Sequence, residues 1–217
     1  MCVLTLDPEN TIFIDGKLEE SKSADVVAWM LSSYYEQKAD LEATKKIRPK
    51  IKRIAKESLE LAKKRGEKVS EEKESSTLNR PLITLVLNSP GGNYDELTAI
   101  YDMMQLLDAD IRTIVMGGAF SAAAIIAISG TCGLRYITPT SRVMFHAVSM
   151  GVEGKTQDIK IDYKEAERLN DTIAEVIKKH TKITDEEVHK FIDRDIYILP
   201  EDAIKFGMFD GIISGIS

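Results

Sequence analysis

Residues 82–92, LITLVLNSPGG, decide how this chain is read. Leu82 to Leu87 form an unbroken apolar run, and Asn88-Ser89-Pro90-Gly91-Gly92 closes it. A strand covered on both faces reads as a continuous apolar run, not an alternating one, and a Pro-Gly cluster after it marks a tight loop. The stretch therefore predicts a buried parallel strand feeding a helix. Residues 95–107 supply that helix, with Leu97, Ile100, Tyr101, Met104 and Leu107 at helical spacing.

The pattern repeats outward from there. Residues 111–116 (IRTIVM) read as a second strand, Gly117-Gly118 as a turn, and Ser121 to Ser129 as a small-residue helix. RYITP and SRVMFH read as two more short strands. Residues 158–180 form a long amphipathic helix and residues 184–192 a shorter one. YILPEDAIKFGMFDGII gives a strand, a helix begun near Pro200-Glu201, and a last strand. Toward the N-terminus, TIFI (residues 11–14) ends in the Asp15-Gly16 turn signal. SKSADVVAWMLSSYY follows as a helix, with Ser23 as expected N-cap and Val26, Val27, Met30 and Leu31 at its spacing. Strands alternating with helices imply an α/β domain with a mostly parallel sheet, whose chemistry belongs on strand-to-helix loops.

The 217 residues fit one domain. The chain has 29 Lys and Arg against 35 Asp and Glu, a net charge of -6, which gives no general pull toward nucleic acid. Cys2 and Cys132 have neither CxxC nor zinc spacing, so the sequence implies no metal or cofactor, and a reducing cytoplasmic compartment is expected. Cys2 is expected at a mobile end. The start, MCVLTLDPEN, has no signal-peptide character, and the longest apolar run, Ala122 to Ile128, is too short for a membrane span.

Residues 38–80 stand apart. They hold 14 of the 29 basic residues against 8 acidic ones, so the segment is net +6 and the remainder net -12. Ile47, Ile51, Ile54, Leu59 and Ala62 fall roughly on one helical face. Pro49 is expected to break or start a helix, Gly66 to stop one, and residues 67–79 to form a polar return. The segment reads as an inserted helical arm.

Four features could carry chemistry. Ser121 follows a Gly turn at the head of a small-residue helix, where free N–H groups favour developing negative charge; it could equally be a plain N-cap. Of the three histidines, His180 and His189 lie in polar helical contexts and read as solvated. His146 ends the apolar run Val143-Met144-Phe145 and could face a cleft as a general base, or sit satisfied in the core. Asp193 and Asp195 flank Arg194 just before an apolar strand. Such an acid could orient an imidazole, or simply pair with Arg194 at the surface. Ser89-Pro90-Gly91-Gly92 could aim backbone N–H groups at an oxyanion, or merely turn tightly.

Together, NSPGG, AIYDMMQ, IVMGGAFSAAA, SRVMFHAV and DRDIYILPEDAIKFGMFDGII closely resemble the caseinolytic Clp protease (ClpP) proteolytic-subunit family in order, spacing and local words over residues 82–214. Residues 11–35 resemble its first strand and helix more loosely. The resemblance implies a crotonase/ClpP-like α/β fold, a spiral of βαβ units, in a single peptidase domain over 1–217. Residues 38–80 would be the inserted arm, and residues 150–181 a protruding handle of strand plus long helix. It implies a serine endopeptidase with Ser121 as nucleophile, His146 as base and Asp195 as third triad member, and the N–H groups of Gly92 and Ala122 as oxyanion donors. The order Ser, His, Asp differs from the Ser, Asp, His order of α/β-hydrolases.

Further implications concern assembly. Copies of the chain would form a heptameric ring, two rings would stack through the handles, and Asp193 and Arg194 would be contact residues between rings. Unfolded polypeptides or peptides would be the substrates, and an AAA+ unfoldase the partner. The arm, and the short stretch before TIFI, depart from the family pattern where it builds its ATPase-docking face, so the docking mode is left open. Two other readings stay open: a catalytically weak, ring-forming structural subunit, and an acyl-CoA enzyme of the related crotonase fold, which would not need a Ser-His-Asp set at these positions.

Overall fold

The computed structural model describes residues 2–4, 6–64 and 80–216. The expected return at 67–79 and the Gly66 stop lie outside the described residues, as do the side chains of Ile47, Ile51, Ile54, Leu59 and Ala62. Strands β1 (Cys2–Leu4), β2 (Thr11–Asp15), β3 (Leu82–Ser89), β4 (Asp110–Phe120), β5 (Arg135–Ile137), β6 (Arg142–Phe145), β7 (Ile196–Ile198) and β8 (Gly211–Ile216) form one sheet. Helices α1 (Glu20–Lys64), α2 (Tyr94–Leu106), α3 (Ala122–Ile128), α4 (Thr156–His180), α5 (Asp185–Ile192) and α6 (Pro200–Lys205) connect and cover it.

The sheet order is β1-β8-β5-β4-β3-β2, with β6 against the far end of β4 and β7 against β6. Every pairing is parallel except β6 with β7. The apolar run that opened the reading is β3, and it divides its side chains by the period of 2 that a strand imposes. Ile83, Leu85 and Leu87 enter the main core, together with the whole of α3, while Val86 joins Leu4, Ile114 and Ile213 on the opposite face. Both faces are thus covered, as a parallel sheet requires.

Four expectations are corrected. Ser23 is not the N-cap of α1: the helix already begins at Glu20, and Ser23 is buried within it. Pro49 neither breaks nor starts a helix, because α1 runs through it for 45 residues. A proline costs a helix one N–H, and Pro49 is exposed, so water can take the carbonyl left without a partner. The first half of the basic segment is therefore an extension of the first helix. Gln37 ties α1 to β3, its amide donating to Leu82 O (3.0 Å) and accepting from Leu82 N–H (2.8 Å).

The third correction concerns Gly117-Gly118, which do not form a turn, since β4 continues to Phe120. Residues 113–115 pair with β5 and residues 118–120 with β6, so Gly117, at φ 97°, is where the strand changes neighbours. A Cβ there would fall 2.6 Å from Asn88 Oδ1, which instead accepts the Gly118 N–H at 3.2 Å. The fourth is Cys2, which lies in β1, paired with Ile213 of β8, and not at a free end.

The handle is half as expected. Its helix is α4, but residues 147–155 are not a strand. A strand needs a hydrogen-bonded neighbour, and among the described residues no strand pairs with them. Residues 149–161 are exposed throughout, so the start of α4 projects from the body.

Candidate active site

Ser121 sits at the junction of β4 and α3, and its backbone is the only non-glycine one at positive φ among the described residues, φ 55° and ψ −124°. Such a conformation costs on the order of 1–3 kcal/mol in a residue with a Cβ, so the surrounding structure must impose it. The constraints are visible. The Ser121 N–H donates to Met144 O of β6 at 2.8 Å, and Ser121 O accepts from Ala124 and Ile125. The hydroxyl is not spent as a helix cap: although Ser121 holds the N-cap position, its side chain makes no capping bond.

The loop after β3 packs directly on this turn. A Cβ at Gly91 would lie 2.5 Å from Phe120 O, 2.9 Å from Ser121 Cβ and 3.0 Å from Ala122 N, and Gly91 itself has φ 89°. Only glycine allows that approach. Ser89 braces the loop, its buried hydroxyl donating to Gly16 O (2.6 Å) and accepting the Gly91 N–H (3.1 Å). Leu18 brackets Gly92: Leu18 N–H donates to Gly91 O (2.9 Å), and Asn93 N–H donates to Leu18 O (3.2 Å). The Gly92 N–H has no acceptor among the described residues, and neither has that of Ala122, the first residue of α3.

One cavity of about 580 Å³ collects these groups, lined by Gly92, Ser121, Ala122 and His146 among others. His146 follows β6 directly and is half-buried. The structure thus brings Ser121, His146, Gly92 and Ala122 to one cavity. Asp195 does not line it and is exposed, but it precedes β7, the strand paired with β6. Among the described residues no hydrogen bond joins Ser121 to His146 or His146 to Asp195. Asp193 and Arg194 are exposed, and among the described residues Arg194 makes no ion pair with Asp193 or Asp195.

The other wall belongs to α4. Glu165, Arg168, Leu169 and Ile173 line the cavity, and Arg168 grips both Glu165 oxygens at 2.8 and 2.5 Å. Hydrogen bonding to Arg168 holds the Glu165 carboxyl below its ordinary range. Sequence reasoning did not single out these residues. Their signal was present in the 3-and-4 spacing of 165, 168, 169 and 173, which puts them on one helical face.

His189 is exposed, but His180 is not the solvated residue expected. Its Nε2 lies 3.2 Å from Tyr101 Oη, and its carbonyl accepts from Arg135. Burial, with the charges of Lys179 and Arg135, pushes its imidazole down to about 4. Arg135 also holds both Asp210 oxygens, at 3.0 and 2.8 Å, and reaches Ile128 O at 3.3 Å. Burial alone would raise the Asp210 carboxyl, but the bonds from Arg135 and Gly133 hold it below its usual value. This buried knot fixes the ends of α3 and α4, and hence the floor and wall of the cavity.

A mostly parallel α/β sheet with a strained serine at a strand-to-helix junction, a histidine beside it and two unpaired N–H groups defines the class. The model of one family, Clp protease, matches residues 72–215, and the chain belongs to that family. Its sheet and helices are those of the ClpP/crotonase-like fold. Named relatives agree. The chain is 41% identical over 133 residues to the chloroplastic ATP-dependent Clp protease proteolytic subunit 4 of Arabidopsis thaliana, covering 61% of this chain and 46% of that protein. It is 38% identical over 131 residues to subunit 1 of Corynebacterium diphtheriae (60% and 63% covered) and 36% identical over 131 residues to the subunit of Deinococcus radiodurans (60% and 64%). The matches span between about half and two thirds of the relatives' own lengths. Among the described residues no helix is long and apolar enough to cross a membrane.

Proposed function

We propose that this chain is a serine endopeptidase of the ClpP type. The observation that carries the reading is the strained backbone of Ser121 in a cavity shared with His146 and the N–H groups of Gly92 and Ala122. Ser121 Oγ attacks the carbonyl carbon of a peptide bond, and His146 takes the hydroxyl proton. The Gly92 and Ala122 N–H groups hold the oxyanion. Collapse breaks the C–N bond, and the leaving amine takes the proton from His146. Water, deprotonated by His146, then hydrolyses the acyl-serine. Asp195 holds the imidazole in the productive tautomer and stabilises its cation.

Assembly is part of the proposal. The chain would act as one peptidase unit, 1–217, with 38–80 as an appended arm and 150–181 as the handle. It would form heptameric rings stacked through α4, with Asp193 and Arg194 at the contact. The exposed apolar residues Val152, Ile159, Ile161 and Tyr163 on the projecting segment favour such an association. Unfolded polypeptide would be fed by an AAA+ unfoldase, in the cytoplasm. The absence of a bond between His146 and Asp195 in the single chain favours one second reading, a ring-forming subunit of low intrinsic activity.

A fluorophosphonate probe tests the reading directly. Wild type should be labelled at Ser121 and should cleave a fluorogenic peptide, and Ser121→Ala should do neither while keeping its oligomeric state. A Ser121→Ala variant with more than a tenth of wild-type activity excludes Ser121 as nucleophile. An unlabelled, inactive but ring-forming wild type supports the structural reading.

A further inference from the structure

The cavity has two walls drawn from separate stretches of chain. His146 to Met150 form one, and Glu165, Arg168, Leu169 and Ile173 of α4 form the other. A single hydrogen bond ties them: the Val148 N–H donates to Asn170 Oδ1 at 2.8 Å. Among the described residues no other hydrogen bond joins residues 146–154 to α4.

Residues 146–154 belong to no helix or strand, so only their contacts hold their backbone. Sheet pairing ends at Phe145. On the N-terminal side of His146, the Met144 carbonyl is fixed by the Ser121 N–H at 2.8 Å. On its C-terminal side, the next fixed point is the Val148 N–H. His146 thus hangs between two tethers, one to the serine turn and one to α4.

We infer that Asn170 is a positioning residue, whose amide oxygen holds the backbone two residues beyond His146 against α4 and thereby sets where the imidazole stands relative to Ser121. This rests on the reading of Ser121 and His146 as nucleophile and base. The physical reason is the cost of an unpaired, half-buried N–H. Without its acceptor the Val148 amide must turn toward water, and the loop turns with it. A displacement on the order of 1 Å at a reacting group can cost about a hundredfold in rate. The same bond also links α4, whose start projects from the body, to the base, so displacement of that helix is felt at His146.

The test uses the full chain in its native assembly. Asn170→Ala removes the acceptor, and Asn170→Asp keeps an oxygen in the same place. Steady-state peptidase kinetics, the rate of fluorophosphonate labelling and the melting midpoint are read for each. Asn170→Ala should lower kcat and the labelling rate by about tenfold or more, with KM within about twofold. Asn170→Asp should restore most of both. An Asn170→Ala variant with kcat within twofold of wild type overturns the inference. So do equal losses in the two variants, which would mean that packing and not the acceptor matters. Should Asn170→Ala melt early, Asn170→Asp is read alone, and a kcat below a tenth of wild type overturns the inference. Ser121→Ala separates the two levels: if it stays active both readings fall, and if it is inactive while Asn170→Ala is normal only the tether falls.

Discussion

Phe145 and Ile196 form the last rung of the antiparallel pairing of β6 with β7, and His146 directly follows the one while Asp195 directly precedes the other. Val143 faces Ile198, Met144 faces Tyr197 and Phe145 faces Ile196, where the pairing ends. Opposed residues in such a pair stand about 4.5–5.5 Å apart at Cα, which is the spacing expected of Phe145 and Ile196. The Asp195 carboxylate is exposed and unbonded to the His146 imidazole in the single chain. The pairing of β6 with β7 thus sets the residue before His146 against the residue after Asp195, although the two lie far apart in sequence.

Asp195→Asn tests that placement. The amide keeps the shape but cannot stabilise an imidazolium, so kcat should fall by about 10^3–10^4 with the fold unchanged. Fluorogenic-peptide turnover beside circular dichroism is the measurement. A loss smaller than tenfold would remove Asp195 from the mechanism.

Gly91→Ala should damage the serine turn, because the new Cβ crowds the Ser121 side chain and the Ala122 N–H. The added Cβ meets Phe120 O and Ser121 Cβ at a residue with φ 89°. Backbone strain of about 1–2 kcal/mol and a shifted Ser121 are expected. Activity should fall on the order of a hundredfold while the melting temperature drops by only a few degrees. Full activity would mean that the loop can move aside at no cost to the site.

Arg135→Met should be the most destabilising change. It leaves the Asp210 carboxylate partly buried without its main partner, and frees the Ile128 and His180 carbonyls. Breaking a buried pair on one side costs about 3–5 kcal/mol. Urea denaturation midpoints of the two proteins measure it.

His180 makes stability depend on pH. Its folded value of about 4 lies below the ordinary 6.5, so the unfolded chain binds more protons between them. Its contribution is therefore present above about pH 6.5 and lost as pH falls toward 4. The melting temperature of His180→Gln, which cannot take up that proton, should fall less over this window than wild type. Parallel curves would show that His180 does not titrate on unfolding.

Assembly is tested on the projecting segment. Ile161 is 66% exposed, and Ile161→Glu should weaken association if α4 packs on a second copy. Arg194→Ala should do the same if it bridges rings. Sedimentation velocity at micromolar concentration reads both, and a wild-type monomer would rule out a ring.

Much of this was legible along the chain, because local sequence carries period and turn chemistry. The run at 82–87 read as a strand covered on both faces, and it splits Ile83, Leu85 and Leu87 from Val86 as its period demands. Serine, histidine and the two glycines were visible as candidates because few other positions combine those residue types with strand ends. What neighbours what across space was not legible. Sheet pairing alone sets Ile196, the neighbour of Asp195, against Phe145, the neighbour of His146. The close packing of Gly91 on Ser121, whose φ is 55°, depends on a loop thirty residues upstream of the serine. Pro49 was misread because propensity gives the cost of a helical proline but not whether water can offset it. His180 was misread because its neighbours in sequence are not all of its neighbours in space: Tyr101 and Arg135 reach it from other elements. Periodicity is set by the backbone within a few residues, whereas contacts between elements are set by how their buried faces fit, and only the folded chain decides that.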